Sequence, residues 1–166
     1  MNRFTPALSM TLLTLSGLAF AATVNPNSPT LSLSLMKVTV VTKDGVKQEV
    51  LSPADKVNPG DMLLQRATLR SPRALKNGNI ILPVPKNTRF LSGTASTFKD
   101  YKMDFSADSG KTFSAQPTKT VTVTENGKSV AKQVPVPEAD YTSVRWNITS
   151  LPAGGEVTVG FRVAVN

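Results

Sequence analysis

The 166-residue chain contains no cysteine and no histidine. Without cysteine, the protein cannot have a disulfide framework, a thiolate metal site or a lipid-modified N-terminal cysteine. Without histidine, it lacks the side chain that most often transfers protons near neutral pH. The 11 Asp and Glu residues are scattered through predicted turns, and the sequence places no two of them in one cleft. We therefore expect a protein that is not an enzyme, with no catalytic residues, no bound metal and no cofactor.

The apolar stretch near the N-terminus is too short to span a membrane, which takes about 20 residues. It covers residues 7–18 and is diluted by Ser, Thr and Gly. Arg3 precedes it, and the small residues Ala19 and Ala21 follow it, which is typical of a secretory signal peptide. We predict a signal peptide over residues 1–21, cleaved after Ala21, and no transmembrane segment after its removal. The protein is then exported, and is periplasmic, on the cell surface or extracellular.

The rest of the chain has the length of one domain, about 145 residues. Residues 22–30 are polar and contain Pro26 and Pro29, which predicts an extended leader. Residues 31–166 contain no stripe of apolar residues at helical spacing. We predict that they form a single all-β domain.

Two strictly alternating runs at the C-terminus flank a turn at residues 151–155. Period-two alternation is typical of a strand with one buried face. We predict that the two runs form a β-hairpin and that a second sheet covers its apolar face. The apolar face consists of Thr142, Val144, Trp146 and Ile148 in the first run and Val157, Val159, Phe161, Val163 and Val165 in the second.

Turn signals recur about every 8 to 12 residues, which favours an immunoglobulin-like antiparallel β-sandwich, with a closed barrel as the alternative. Asp44-Gly45, Asn77-Gly78 and Asn126-Gly127 are the Asn-Gly and Asp-Gly turns. In the first predicted strand the apolar phase shifts at Met36, which predicts a β-bulge and a strand that serves both sheets. Prolines at 83 and 85 predict that the strand before them lies at a sheet edge.

Four segments resemble the bacterial conserved-repeat domain called domain of unknown function eleven. They are residues 57–61 (Val-Asn-Pro-Gly-Asp), 90–96 (Phe-Leu-Ser-Gly-Thr-Ala-Ser), 144–146 (Val-Arg-Trp) and 151–155 (Leu-Pro-Ala-Gly-Gly). The resemblance extends from about residue 53 to the C-terminus. It implies an immunoglobulin-like sandwich of exported bacterial envelope and surface proteins, often in tandem arrays, and supplies no enzymatic residues.

The chain departs from this family in three respects. It has one copy instead of an array, residues 82–85 lack the acidic residue that usually precedes the proline, and the hairpin at residues 125–127 is an insertion. A single copy favours a small envelope or periplasmic protein over a long surface stalk. Our leading hypothesis is a non-enzymatic structural or interaction domain of the bacterial cell envelope that binds envelope proteins. A pilus-type chaperone or adhesin subunit that acts by strand exchange is an alternative, because an open sandwich has free strand edges.

A second alternative is an electrostatic binding module for an anionic envelope polymer. The chain has a net charge of +8, and no Asp or Glu occurs between Asp61 and Asp100. Only Phe90 and Phe98 are aromatic in this segment, so we do not expect nucleic-acid binding. The competing interpretation is that the basic residues are spread over both sheets and only solvate them. The candidate anionic-ligand surface consists of Arg66, Arg70, Arg73, Lys76, Lys86, Arg89 and Lys99.

Residues 106–113 match the Asp-box pattern of sialidase-like propellers. A propeller needs several blades, so one copy predicts only a structured turn in which the Asp side chain bonds to nearby backbone. Asp104 also begins the one-three-five spacing of a calcium loop, but Ala115 stands where the pattern needs a bidentate Glu, so we expect no calcium site. The predicted turn residues are Ser106, Asp108, Gly110 and Thr112.

Overall fold

A computed structural model describes residues 27–95, 101–125 and 127–166. Within these ranges the chain forms ten β-strands, one 3-10 turn (Glu138–Asp140) and no α-helix, which confirms the all-β prediction. The predicted signal peptide and most of the leader lie outside the described residues. The strands are β1 (Thr30–Lys43), β2 (Val46–Pro53), β3 (Met62–Ser71), β4 (Leu75–Pro83), β5 (Thr88–Ala95), β6 (Tyr101–Ser106), β7 (Thr118–Glu125), β8 (Lys128–Pro135), β9 (Ser143–Leu151) and β10 (Gly155–Val165).

The strands form two antiparallel sheets that pack face to face and a separate hairpin. The larger sheet has the order β2-β1-β3-β10-β5, the smaller has the order β4-β9-β6, and β7 pairs only with β8. The core lies between the two sheets, because one continuous cluster of buried side chains draws on both of them. The larger sheet contributes Leu63, Ala67, Phe90, Val157, Val159, Phe161 and Val163, and the smaller contributes Ile80, Leu82, Val144, Trp146, Ile148 and Leu151. The structure is therefore consistent with a β-sandwich.

The two C-terminal strands do not form a hairpin, so that prediction is wrong. β9 pairs with β4 and β6, whereas β10 pairs with β3 and β5 in the opposite sheet. The turn carries the chain across the sandwich: Gly154 has φ +72°, and a Cβ on Gly155 would lie 2.8 Å from the carbonyl oxygen of Pro152. The alternation still predicted which side chains are buried. The apolar face of each strand points into the core whether the two strands pair in one sheet or face each other from opposite sheets.

The first strand contains no bulge and stays in one sheet, contrary to the prediction. β1 pairs with β3 in unbroken register from Thr30 to Val38, and with β2 from Met36 to Lys43. The apolar phase shifts because the first half of the strand has its apolar residues on the inner face of the sheet and the second half has them on the outer face as well. Leu33 lies opposite the core residue Ala67, on the inner face that looks toward the smaller sheet. Val38 lies on the outer face, in a buried group with Leu64 and Ala164.

The β1–β2 hairpin curls over this outer face. Glu49 of β2 accepts hydrogen bonds of 2.7 and 2.8 Å from the guanidinium of Arg162 in β10, although β1 and β3 lie between the two strands in the sheet. The predicted Asp44-Gly45 turn is confirmed, since both residues have positive φ (51° and 78°) as a tight hairpin turn requires.

The Asn77-Gly78 signal does not mark a turn between strands, because both residues lie inside β4. Asn77 still adopts the left-handed conformation, with φ 53°. β4 is an edge strand of the smaller sheet, as its prolines predicted. Across residues 27–95, 101–125 and 127–166, there is no helix of a length and hydrophobicity that would let it cross a membrane.

Candidate functional site

The β7–β8 hairpin lies apart from both sheets of the sandwich. Its strands pair from Thr118 opposite Pro135 to Glu125 opposite Lys128, and neither strand pairs with another sheet. None of its 16 strand residues is buried. It is anchored at its base, where Val136 is buried in the core and donates a 2.9 Å hydrogen bond to the carbonyl oxygen of Pro117. The hairpin therefore projects from the sandwich as a two-stranded ribbon.

The two faces of this ribbon differ in chemistry. Residues that lie opposite each other share a face, so the register separates a threonine face from a valine face. On the valine face Val130 is 42% exposed, and Lys132 lies near Glu125 at 3.5 Å. The threonine face consists of Thr118, Thr120, Thr122 and Thr124 with Ser129, Ala131, Gln133 and Pro135, and the valine face consists of Val121, Val123, Val130 and Val134 with Lys119, Glu125, Lys128 and Lys132.

The Asp-box segment forms a compact turn beside the base of the ribbon. The Asp108 carboxylate accepts hydrogen bonds from the Ser106 hydroxyl (2.7 Å), the Thr112 hydroxyl (2.6 Å) and the backbone N–H groups of Thr112 (2.9 Å) and Lys111 (3.1 Å). These donors, those of Thr112 first, hold the pKa of Asp108 well below its usual range. Each carboxylate oxygen is used within the turn itself, which is a structural role.

Further contacts fasten this turn to β9 and to the chain just before it. The Thr142 N–H donates to the Ser106 carbonyl oxygen (2.7 Å), and the Ser109 N–H donates to the Thr142 hydroxyl (2.9 Å). Asp104 accepts hydrogen bonds from Arg145 (2.7 Å) and Asn147 (2.6 Å). The two carboxylates of the calcium-like spacing are thus occupied by protein donors.

An open cleft of about 530 Å³ lies between this turn and the base of the ribbon. Its lining includes Phe105, Phe113, Lys119, Val136 and Asp140. The Arg145 guanidinium lies over the Phe113 ring, 4.5 Å from its centroid, and so holds that side of the cleft in place. The cleft lining mixes one cation, Lys119, with acidic and aromatic groups.

The structure distributes the predicted basic surface over several parts of the protein. Arg66, Arg70 and Arg89 lie on the outer face of the larger sheet, and Arg70 forms an ion pair with Glu156. Lys76 lies in β4 of the smaller sheet, opposite Ser150, and is exposed. Arg73 and Lys86 lie in loops at opposite ends of β4, and Lys99 lies outside the described residues. Of these residues, Arg66 and Arg70 come closest to forming one surface, because they lie on the same face of the same strand.

Two exposed surfaces of the protein were not predicted from the sequence. The sequence predicted the β7–β8 hairpin, with a turn at residues 126–127, as an insertion, but not that this hairpin projects from the sandwich. It also did not predict that Leu31, Leu33 and Leu35 are exposed although they lie on the inner face of the larger sheet. The alternation of threonine with valine in β7 was the available signal for a ribbon with two unlike faces. No local signal existed for the leucines, because their exposure depends on the width of the opposite sheet.

A scan against protein-family models and searches of the curated proteins and of the solved structures find no match to this chain. The resemblance to domain of unknown function eleven therefore stays a prediction that rests on the four quoted segments.

Proposed function

We propose that the protein is a non-enzymatic interaction domain of the bacterial cell envelope, and that it binds another envelope protein through the valine face of the β7–β8 hairpin. The observation that carries this proposal is the hairpin itself, a projecting ribbon without a buried residue in either strand. A ribbon of this kind contributes no buried side chain to the core of its own domain, so we infer that it serves to bind another molecule.

The energetics of an isolated hairpin favour a partner. Fixing the backbone of one residue costs about 1 to 2 kcal/mol, whereas a cross-strand side-chain pair returns about 0.2 to 1 kcal/mol. A two-stranded hairpin is therefore marginally stable in water. Burying a valine side chain fully contributes about 1.5 kcal/mol or more. A partner surface that covers the valine face would therefore supply the stabilising free energy that the free ribbon lacks.

The chemistry of the valine face indicates a protein surface as its partner. The four valines form a staggered apolar strip in which Val123 lies opposite Val130. Lysines flank the other two valines, because Val121 lies opposite Lys132 and Val134 lies opposite Lys119, and the Glu125–Lys128 pair lies at the tip. An apolar centre with a polar rim is the usual composition of a protein–protein interface. The backbone edges of the ribbon can also pair with a strand of the partner.

The envelope location and the family relation belong to the same proposal. The signal-peptide pattern of residues 1–21 supports export, and the four motif segments support an immunoglobulin-like envelope domain. One feature differs from immunoglobulin order, in which the last two strands are neighbours in one sheet: here β9 and β10 belong to opposite sheets. We therefore propose a relative of that domain with altered connectivity at its C-terminus.

Site-specific photocrosslinking in cells tests the proposed binding surface. A crosslinker at Val130 is expected to capture one envelope protein, and the additional change Val121→Asp is expected to abolish the capture. The control position is Ile81, which is 50% exposed on edge strand β4, away from the ribbon. Capture of the same proteins from Val130 and Ile81, or undiminished capture in the Val121→Asp variant, would show that the ribbon is not the binding surface.

A further inference from the structure

Three leucines on the inner face of the larger sheet are left uncovered. Leu31, Leu33 and Leu35 are 51%, 62% and 39% exposed. They lie opposite Leu69, Ala67 and Gln65 of β3, in the row that continues into the core. The larger sheet has five strands and the smaller has three, and the exposure of the leucines shows that the smaller sheet stops short of this part of β1. The result is an apolar shelf beside the core.

The backbone edge beside this shelf is also unpaired among the residues that the structure describes, 27–95, 101–125 and 127–166. β3 occupies one edge of β1, and β2 occupies the other edge only from Met36, where Pro53 lies opposite. Within the described part of the chain, no strand pairs with the second edge over residues 31–35. A shallow groove of about 300 Å³ lies over the inner face beside these leucines, lined by Leu33, Ser34, Leu35, Gln65 and Pro85. An apolar shelf and an open strand edge thus coincide on five residues.

This edge lacks the features that normally prevent sheets from joining. Exposed edges are usually blocked by charged residues, above all lysine, or by proline. Other edge strands follow that rule, with Lys47 and Pro53 in β2, Lys76 and Pro83 in β4, and Lys102 in β6. Residues 30–36 contain neither a charge nor a proline, in a chain of net charge +8. The edge is suited to pairing with another strand.

We propose that this edge pairs with the same edge of a second copy of the chain, in an antiparallel dimer whose two-fold axis passes between the two copies of Leu33. The segment Leu-Ser-Leu-Ser-Leu is symmetric about Leu33. Antiparallel pairing about that residue places Leu31 opposite the partner's Leu35 and each serine opposite a serine, so six leucines form one apolar strip on one face. The two larger sheets then join through their β1 strands into one continuous sheet, in which the second copy's β1 and the chain's own β2 lie end to end along the same edge of β1.

Two further features favour a second copy over an unrelated strand. β2 ends at Pro53, opposite Met36, so the open window has the length of the symmetric segment. The absence of charge from residues 30–36 means that two copies of a strongly basic chain meet without opposing like charges at the seam. A strand of unrelated sequence would need neither the symmetry nor the neutrality of this segment.

The association state of the chain, in the form in which the cell produces it, tests the proposal. Light scattering on a sizing column across a dilution series is expected to give twice the chain mass, falling toward the single mass on dilution. Leu33→Lys places two lysines opposite each other and is expected to give the single mass throughout. The matched control Ile81→Lys changes another exposed apolar residue, on β4, and is expected to retain the dimer. A wild-type chain that is monomeric throughout, or a Leu33→Lys chain that stays dimeric, would overturn the proposal.

A single introduced cysteine tests the register, because the chain has none of its own. Residues that lie opposite each other in an antiparallel pair have Cα atoms about 4.5 to 5.5 Å apart, within the range of a disulfide. Mild oxidation of Leu33→Cys is therefore expected to give a covalent dimer. In Leu31→Cys the two thiols lie four residues apart along the strands, about 13 Å, and are expected to stay reduced. Equal crosslinking of both variants would contradict this register. The outcome is separate from partner capture at Val130, which the dimer does not require.

Discussion

The indole of Trp146 in β9 stacks on the ring of Phe161 in β10, with centroids 6.2 Å apart and ring planes 13° apart. Both side chains are fully buried, and they belong to opposite sheets. This contact joins the two layers of the sandwich at its centre. Phe161 also contacts Phe90, at 5.9 Å, which extends the aromatic packing toward the edge strand β5.

Trp146→Ala is expected to lower the free energy of unfolding by about 3 to 5 kcal/mol, because it opens a large cavity in the core. Trp146→Phe is expected to cost less, since the indole Nε1 has no hydrogen-bond partner among the described residues and no bond is lost. Urea unfolding monitored by circular dichroism measures both. The control is Ile81→Ala on the exposed face of β4, with an expected change within about 0.5 kcal/mol. Equal stability of Trp146→Ala and wild type would contradict the central position of this residue.

Gly155→Ala is expected to destabilise the protein by about 1 to 3 kcal/mol, as overpacking does. The new Cβ would lie 2.8 Å from the Pro152 carbonyl oxygen and 2.9 Å from Leu151 Cδ1, so the turn that crosses between the sheets would have to open. Gly78→Ala is the matched control, because no atom lies within 4 Å of its Cβ position. Thermal unfolding of the two variants should separate them, and similar midpoints would show that the turn tolerates the methyl group.

The Asp108 turn predicts a pH-dependent contribution to stability. The folded-state pKa of Asp108 is lowered by its hydrogen bonds, first those from Thr112, so the contribution is fully present above the ordinary Asp pKa. It is lost as the pH falls from that value through the lower folded-state pKa. Asp108→Asn is therefore expected to be less stable than wild type at neutral pH, with a difference that shrinks in acid. Asp55→Asn, at an exposed loop residue, is the control. A difference that is constant with pH would exclude the carboxylate as its source.

Export predicts a defined N-terminus. Cleavage after Ala21 leaves a mature chain that begins at Ala22, because small residues at Ala19 and Ala21 fit a signal-peptidase site. Intact mass and N-terminal sequencing of the protein from the envelope fraction measure this directly. A cell-derived protein that retains residues 1–18 would contradict the export prediction.

Binding to a polyanion is expected to depend on net charge and not on one surface, because the basic residues lie on both sheets and in separate loops. Two sets of four changes to Gln are expected to lower the salt concentration of elution from heparin equally. If only the first set of changes lowered retention on heparin, the result would instead support the anionic-polymer alternative. The first set is Arg66, Arg70, Arg73 and Lys76, and the second is Lys43, Lys47, Lys128 and Lys132.

Features that depend on neighbouring residues could be predicted from the sequence. The buried face of β9 follows from the alternation of Val144, Trp146 and Ile148, because successive side chains of any strand point to opposite sides. The Asp44-Gly45 turn follows from the positive φ that both residue types tolerate. The turn around Asp108 is likewise local, since its donors lie within four residues of the carboxylate.

Features that depend on which strands meet were decided only by the tertiary structure. Alternation in β9 and β10 is the same whether the strands pair side by side or face each other across the core, so it could not distinguish a hairpin from a crossing turn. The exposure of Leu33 depends on where the smaller sheet ends, and the separation of Arg66 from Lys76 depends on the crossing between β3 and β4. Periodicity assigns a side chain to a face of its strand, whereas the packing of distant strands decides whether that face is covered.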